Sequence, residues 1–261
     1  MQQAFGGSER LYSQQGVEKL GQSSVTVIGI GGVGSWVVEA LARTAVGHIT
    51  LIDLDDICVT NTNRQIHAMS NTVGKLKVET MAKRVKLINP DCKVTQVVDF
   101  INKDNISQYL SNDTDYVVDA IDNARVKAAI IYYCKRNKIK VITIGGAGGQ
   151  IDPLKISVND LSRTWQDPLS AKVRNELRRN YNFSKNPKRR FGVECVYSTE
   201  QLLYPDSEGN ISYEKKAGST SARLDCAQGL GASVVVTSSF GMIAASKVIN
   251  WLVNREDKVK D

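Results

Sequence analysis

Apolar and polar positions fall into short blocks along this chain. "VTVIG", Val25 to Gly29, is an apolar run that ends in a glycine turn and predicts a buried strand. From Val33 to Thr44, Trp36, Val37, Ala40 and Leu41 recur at helical spacing. His48 to Asp53 predicts a second buried strand. Between Gly74 and Asn89, the apolar positions Leu76, Met81, Val85 and Ile88 mark a helix that Pro90 stops. Lys93 to Val98 and Asp115 to Asp119 read as strands, Asn123 to Arg136 as a helix, and Lys140 to Ile144 as a further strand. Strands alternating with helices imply βαβ units and a mostly parallel sheet.

The rhythm changes after "GGAGGQ", residues 145–150. Asp167 to Asn180 predicts a helix. "NYNFSKNPKRR", 180–190, is polar and basic without a period, so it reads as a loop, and "YPDSEGN", 204–210, as a turn or second mobile loop. A helix near 229–254 closes the pattern. No repeat, low-complexity tract or linker divides the chain. The expected fold is α/β: a doubly wound, mostly parallel, Rossmann-like sheet with an elaborated C-terminal half. It is read as a single domain over 1–261, with a nucleotide-binding half at about 20–150 and a second half at about 151–261.

Composition narrows this picture. At 261 residues and 42% hydrophobic, the chain can bury a core without disulfide staples. The cysteines Cys58, Cys92, Cys134, Cys195 and Cys226 are odd in number and form no C-x-x-C pair, which predicts reduced thiols in a cytoplasmic protein and no zinc knuckle. Residues 1–20 lack a signal-peptide pattern. The stretch 230–253 approaches the length and apolarity of a membrane span, yet carries Ser, Thr, Gly, Lys247 and Asn250, so a buried helix is expected instead. A net charge of +7 permits a polyanionic partner.

The chemistry concentrates in the first half. Gly29, Gly31 and Gly34, with Gly32 added, form G-x-G-x-x-G between a strand and a helix. Such a loop admits a phosphate to the backbone and to the helix N-terminus. Asp53 follows Gly34 at the end of the next strand, where an acid receives ribose hydroxyls. Asp55 and then Asn61, Asn63, Arg64 and Gln65 come next, followed by Lys77 and by Asp122-Asn123. All stand where strands end or helices begin. A hydride-transfer enzyme does not need Arg64 and Lys77 together, so a nicotinamide dehydrogenase is disfavoured; a triphosphate suits them. Asp122 suits a magnesium ion bridging phosphate oxygens.

These residues resemble the ubiquitin-activating-enzyme superfamily, the adenylating enzymes of the ThiF and MoeB type. The shared pattern is G-x-G-G-x-G, acid, N-x-x-R-Q, K-x-E and D-x-x-D-N, over about residues 20–150. The resemblance implies that Asp53 binds ribose, that Asn61, Arg64, Gln65 and Lys77 grip phosphates, and that Asp122 binds magnesium. It implies a homodimer in which Arg10, in "GSERLY", reaches the partner's ATP. Over nearly its whole length the chain is similar to the bacterial tRNA threonylcarbamoyladenosine dehydratases, on "RLYS", "IGIGGVGSW", "CVTNTNRQIHA", "GGAGGQIDP", "QDPL", "GVECVYSTE" and "LDCAQGLGA". That branch implies ATP-dependent adenylation of a threonyl carboxylate on tRNA, then cyclisation with loss of water. The second half then serves substrate and dimer contacts, and sulfur-transfer accessory proteins are implied partners. An adenylyltransferase for a sulfur-carrier C-terminus, and a non-catalytic nucleotide- or tRNA-binding module, are the alternatives. The absent C-x-x-C pairs and the intact Arg64, Lys77 and Asp122 weigh against them.

Other candidates carry two readings each. Cys195 and Cys226 are candidate thioester nucleophiles, or small buried residues. His48 is expected to open a strand, and His67 to line the ATP site. Lys172, Arg174, Arg178, Arg179, Lys185, Lys188, Arg189 and Arg190 form a basic run that is either a solvated face or a tRNA contact, with Tyr181 and Phe183 available to stack on a base.

Overall fold

The computed structural model describes residues 4–111, 113–206, 208–214 and 230–256. Helix α1, Gly6–Gly21, opens the chain and kinks at Ser13. Strand β1, Ser24–Ile28, helix α2, Gly34–Arg43, strand β2, His48–Ile52, helix α3, Lys77–Ile88, and strand β3, Lys93–Val97, follow. A short α4, Ile106–Tyr109, precedes β4, Tyr116–Asp119, then α5, Ala124–Arg136, and β5, Lys140–Ile144. Next come β6, Ile156–Asp160, α6, Pro168–Asn180, and β7, Glu194–Ser198. A small antiparallel hairpin pairs β8, Tyr204–Pro205, with β9, Ile211–Ser212, and α7, Val234–Asn254, ends the described chain. The expected elements sit within a few residues of their predicted ends. α1, β6 and β7 were not expected.

One seven-stranded sheet runs β3-β2-β1-β4-β5-β7-β6. Every pairing is parallel except β6 with β7. This is the doubly wound α/β arrangement. The order reverses between β1 and β4, and ligands bind beyond the strand ends at such a switch point. Two apolar layers cover the two faces. On one, α2, α3 and α7 bury Val37, Leu41, Met81, Val85, Phe240, Ala244 and Val248 against Val27 and Leu51. On the other, α5 and α6 bury Ile130, Ile131, Val173 and Leu177 against Val117, Val141 and Cys195. Glu39 of α2 is buried and takes Arg43 at 2.7 Å and Arg84 of α3 at 2.7 and 3.0 Å, so an ion-pair cluster ties these helices together.

Among the described residues α7 alone is long and apolar enough to cross a membrane by length and composition. It is a core helix: Val236, Phe240, Ala244, Ala245, Val248, Ile249 and Leu252 are buried. Gly241 packs so closely on α2 that a Cβ there would come 2.7 Å from the Val33 carbonyl oxygen. At the far end, Arg255 pairs with Asp115 at the foot of β4 and accepts Lys19 Nζ on its carbonyl at 2.8 Å, which binds the two ends of the described chain to each other.

Candidate active site

The loops at the β1/β4 switch point enclose a cleft of about 760 Å³. Gly29, Gly31 and Gly32 form one side. Asp53, Asp55, Asn61, Arg64, Gln65, Lys77, Asp122 and Asn123 line the rest. The sequence spreads these groups over almost a hundred positions; the βαβ crossovers gather them at one sheet edge.

Each is held by identifiable local chemistry. Gly29 sits at φ +86°, a conformation that excludes a side chain without strain. The next turn closes because α2 starts on Gly34, where a Cβ would stand 1.8 Å from the Gly29 carbonyl oxygen. Gly34 therefore works by close packing and does not itself line the cleft. Asp53 braces the loop from β2: its Oδ2 accepts Ile30 N–H at 2.6 Å and its Oδ1 accepts Asp55 N–H at 2.9 Å. Burial pushes the Asp53 carboxyl up from its usual range, against the pull of Lys77. His67 lies fully buried behind the loop and donates from Nε2 to the Ile30 carbonyl at 2.8 Å. Burial lowers its pKa to about 4. The expectation that His67 lines the ATP site is thus corrected: it is a neutral brace of the glycine loop.

The Asn61–Gln65 segment is a tight turn after the 3₁₀ turn Val59–Asn61. Asn61 Oδ1 accepts Cys58 N–H at 3.0 Å, and the Asn61 carbonyl accepts the amides of Arg64 and Gln65 at 3.0 and 2.9 Å. The Arg64 side chain lies across Gly32, with Nη1 donating to Thr60 O and Asn63 Oδ1. Asn63 stands outside the cleft lining; its Nδ2 donates to the carbonyl of Ala232, which does line it. Gln65 is buried, and its Oε1 has no hydrogen-bond partner among the described residues. Lys77, also buried, points at the exposed Asp55 carboxylate at 2.7 Å.

Asp122 is exposed on the cleft wall, and Asn123 is the N-cap of α5, its Oδ1 accepting Arg125 and Val126 amides. Below them lies a buried pair that sequence reasoning missed. Lys127 Nζ is 3.1 Å from Asp119 Oδ2 and donates to the carbonyls of Asp119 and Ile121 at 3.1 and 3.0 Å. Thr143 donates to the same Asp119 oxygen at 2.7 Å. The 119–123 loop carrying Asp122 is therefore fixed from inside. Asp119 was visible in "DAIDN", but a lysine eight residues later on a helix gives no sign that it is buried.

The other candidates fall elsewhere. Arg10 is exposed on α1 and lines no part of its own chain's cleft. Cys195 is fully buried in β7, near Ser170, and burial raises its pKa to about 12. A thiol held that far from ionisation is no nucleophile, so this candidate is corrected to a core residue. Cys226 lies outside the described residues. Arg179, Lys188, Arg189 and Arg190 are exposed, whereas Arg178 stacks over Phe191 at 5.5 Å. Two expectations about the basic loop need correction. Tyr181 packs on Tyr132 at 4.9 Å between ring centres and Phe183 on Phe191 at 5.0 Å, so both rings are engaged in the protein's own apolar layer and are not open stacking platforms. The same contacts dock the loop that lacked any visible apolar period.

The ThiF family pattern matches residues 8–261. A tRNA threonylcarbamoyladenosine dehydratase of Haemophilus influenzae is 57% identical over 98% of this chain and 95% of its own length. The Escherichia coli protein of that name is 53% identical over 96% of this chain and 94% of its own. A crystal structure of the E. coli dehydratase in complex with ATP superposes with a TM-score of 0.85 at 49% identity, covering 96% of this chain and 94% of that one. With that fold, those cleft residues and this likeness across nearly the full length, the chain belongs to the ThiF family, on the branch of the tRNA threonylcarbamoyladenosine dehydratases.

Proposed function

We propose that this chain is an ATP-dependent enzyme that dehydrates threonylcarbamoyladenosine in tRNA to its cyclic form. The observation that carries the reading is the convergence of the glycine loop, Asn61, Arg64, Gln65, Lys77 and Asp122 on one cleft. The loop amides and the start of α2 face the phosphates. Asp53 receives ribose hydroxyls on lone pairs that Ile30 and Asp55 leave over. Arg64 and Lys77 neutralise the triphosphate, and the Gln65 side chain, whose Oε1 has no partner among the described residues, adds a polar contact. Magnesium fits this donor set: it is commonly held by one or two carboxylates plus substrate phosphates, and Asp122 supplies one carboxylate at the cleft wall. When bound there, the metal would neutralise charge on the phosphate oxygens.

In the first step the threonyl carboxylate oxygen attacks the α-phosphorus; the bond to the β-phosphate breaks and pyrophosphate leaves. In the second, the ureido nitrogen attacks the activated carbonyl, a C–N bond closes the ring, and AMP departs with the carboxylate oxygen. The nitrogen's proton passes to solvent. ATP thereby carries off the elements of water, and intramolecular attack needs no protein nucleophile. The setting is cytoplasmic, where tRNA and ATP are available. The test is direct. Incubated with ATP and tRNA bearing the threonylcarbamoyl group, the chain should yield a nucleoside lighter by one water, with AMP and pyrophosphate in equal amount. No mass change would overturn the reading.

The exposed cations Lys188, Arg189 and Arg190 are proposed to meet tRNA phosphates. Reversing all three to Glu should weaken tRNA binding and lower its log–log salt slope by about 0.7–0.9 for each phosphate no longer neutralised. ATP affinity, measured alongside by titration, should stay the same. An unaltered slope would return these residues to the solvated surface.

The enzyme is proposed to work as a homodimer, with Arg10 of the partner subunit reaching each cleft, since Arg10 does not line its own. Mixing Arg10→Ala with Asp122→Ala chains should restore part of the activity, because one mixed site keeps both groups. A mixture that forms heterodimers and stays inactive would place Arg10 in no partner's site.

A further inference from the structure

The "GGAGGQ" segment forms a wall with two faces. Its front, Gly145, Gly146 and Ala147, lines the nucleotide cleft. Asp167 holds it from behind: Oδ2 accepts Gly146 N–H at 3.0 Å, and a Cβ on Gly145 would stand 1.8 Å from that oxygen. Asp167 is also the N-cap of α6, accepting Ser170 N–H at 2.8 Å. The same Asp167 borders a second cavity, of about 410 Å³, whose walls include Arg174, Gln201, Leu202, Tyr204 and Tyr213. Its far side hangs from the same glycine segment, since Leu203 N–H donates to the Gly149 carbonyl at 2.8 Å. One turn of α6 and two glycines thus separate the two spaces.

The lining has a definite chemistry. Two tyrosines and a glutamine offer an aromatic face and a carboxamide to a flat heterocycle with polar edges. Tyr213 is 57% exposed, as is Trp165 to 55% just before the lining residue Gln166, so aromatic surface stands open at the rim. Open aromatics of this kind receive unstacked bases of single-stranded RNA. Arg174 is half-buried, and Thr164 is its one hydrogen-bond partner among the described residues, which leaves most of its five N–H donors for an anion. The volume lies in the range of small-ligand sites.

We propose that this cavity receives the substrate nucleoside flipped out of the RNA loop. The purine lies against Tyr204 and Tyr213 with Gln201 on its edge, Arg174 pairs with the adjoining phosphodiester, and the threonylcarbamoyl arm passes over Gly146 into the nucleotide cleft. This deepens the function proposed above and rests on it. The absence of side chains at Gly145 and Gly146 then has a purpose besides the fit to Asp167: they leave a low sill between base and ATP.

The test compares two anticodon stem-loop RNAs, with and without the threonylcarbamoyl group on the same adenosine, against the full chain and its Tyr213→Ala and Gln201→Ala variants. Both side chains are exposed, so thermal midpoints should stay near that of the parent chain. The parent chain should bind the modified RNA more tightly and cyclise it. Tyr213→Ala should weaken binding of the modified RNA, and raise its KM, about tenfold. Its affinity for ATP should not change, nor should the modest affinity for phosphates alone in a nucleotide-free polyanion competition. Variants that bind and turn over the modified RNA like the parent would overturn the cavity assignment and leave the function intact. Failure of the parent chain itself to cyclise the modified RNA would overturn both, and is seen before any variant is made.

Discussion

Asp122→Ala is expected to lower kcat by about 10²–10³-fold, the loss seen when a preorganised charge-stabilising group is removed. Asp122 is exposed at the cleft wall and contributes nothing to either apolar layer. Its replacement should change stability by no more than about 0.5 kcal/mol, as at other surface sites. Thermal unfolding and the mass-based nucleoside assay on one preparation separate the two effects. Asp122→Asn adds a sharper arm: it keeps the shape and loses the charge. Under the magnesium assignment its half-saturating magnesium concentration rises, while tRNA affinity stays put. A folded Asp122→Ala chain with near-normal kcat would remove the carboxylate from the reaction altogether.

Lys127→Met should do the opposite, harming the fold first. The ammonium has the buried Asp119 carboxylate and two loop carbonyls around it, and neither side chain of the pair has access to water. Removing one partner leaves a buried charge without its counterion, at a cost of about 3–5 kcal/mol. For a chain of this size that lowers the thermal midpoint by roughly 2–4 °C per kcal/mol. The double variant Asp119→Leu/Lys127→Met should recover part of the stability, since an apolar pair often replaces a buried ion pair without loss. It should not recover activity, because the carbonyls of Asp119 and Ile121 no longer have the donor that sets the loop bearing Asp122. An unshifted midpoint for Lys127→Met would mean the pair is not buried as described.

The sequence makes the nucleotide-binding half readable for a physical reason. Strands buried on both faces are continuous apolar runs, and β1, β2, β4 and β5 are buried at nearly every position. Amphipathic α2, α3 and α5 announce themselves by spacing. The elements that went unseen lack these signals. α1 has Leu11, Val17 and Leu20 scattered among polar residues and bends at Ser13. β6 is an edge strand of mixed burial, and β7 follows an irregular basic loop, so neither sits in a repeating βαβ unit. In the site, glycines and charged residues at element ends were legible because their types are constrained by chemistry. Lys127, His67 and Asp167 were not, because only burial separates a brace from an ordinary surface residue. The same blindness to burial left Cys195 open between a nucleophile and a buried residue and made Phe183 look free.

The packing of α7 has a consequence for how the chain is made. The glycine loop, Arg64, Lys77 and Asp122 are all made before residue 150. The layer that covers β1 and β2, however, takes Val236, Phe240, Ala244 and Val248 from residues 234–254. Until those arrive, the nascent sheet shows water a bare apolar face beside α2. At about 5–20 residues per second, the wait from residue 150 to the end of α7 is on the order of 10 s. During that interval the half-made chain is a client for chaperones and a target for aggregation. Slowing translation after residue 150 should therefore lower the yield of folded enzyme more than slowing it before residue 20.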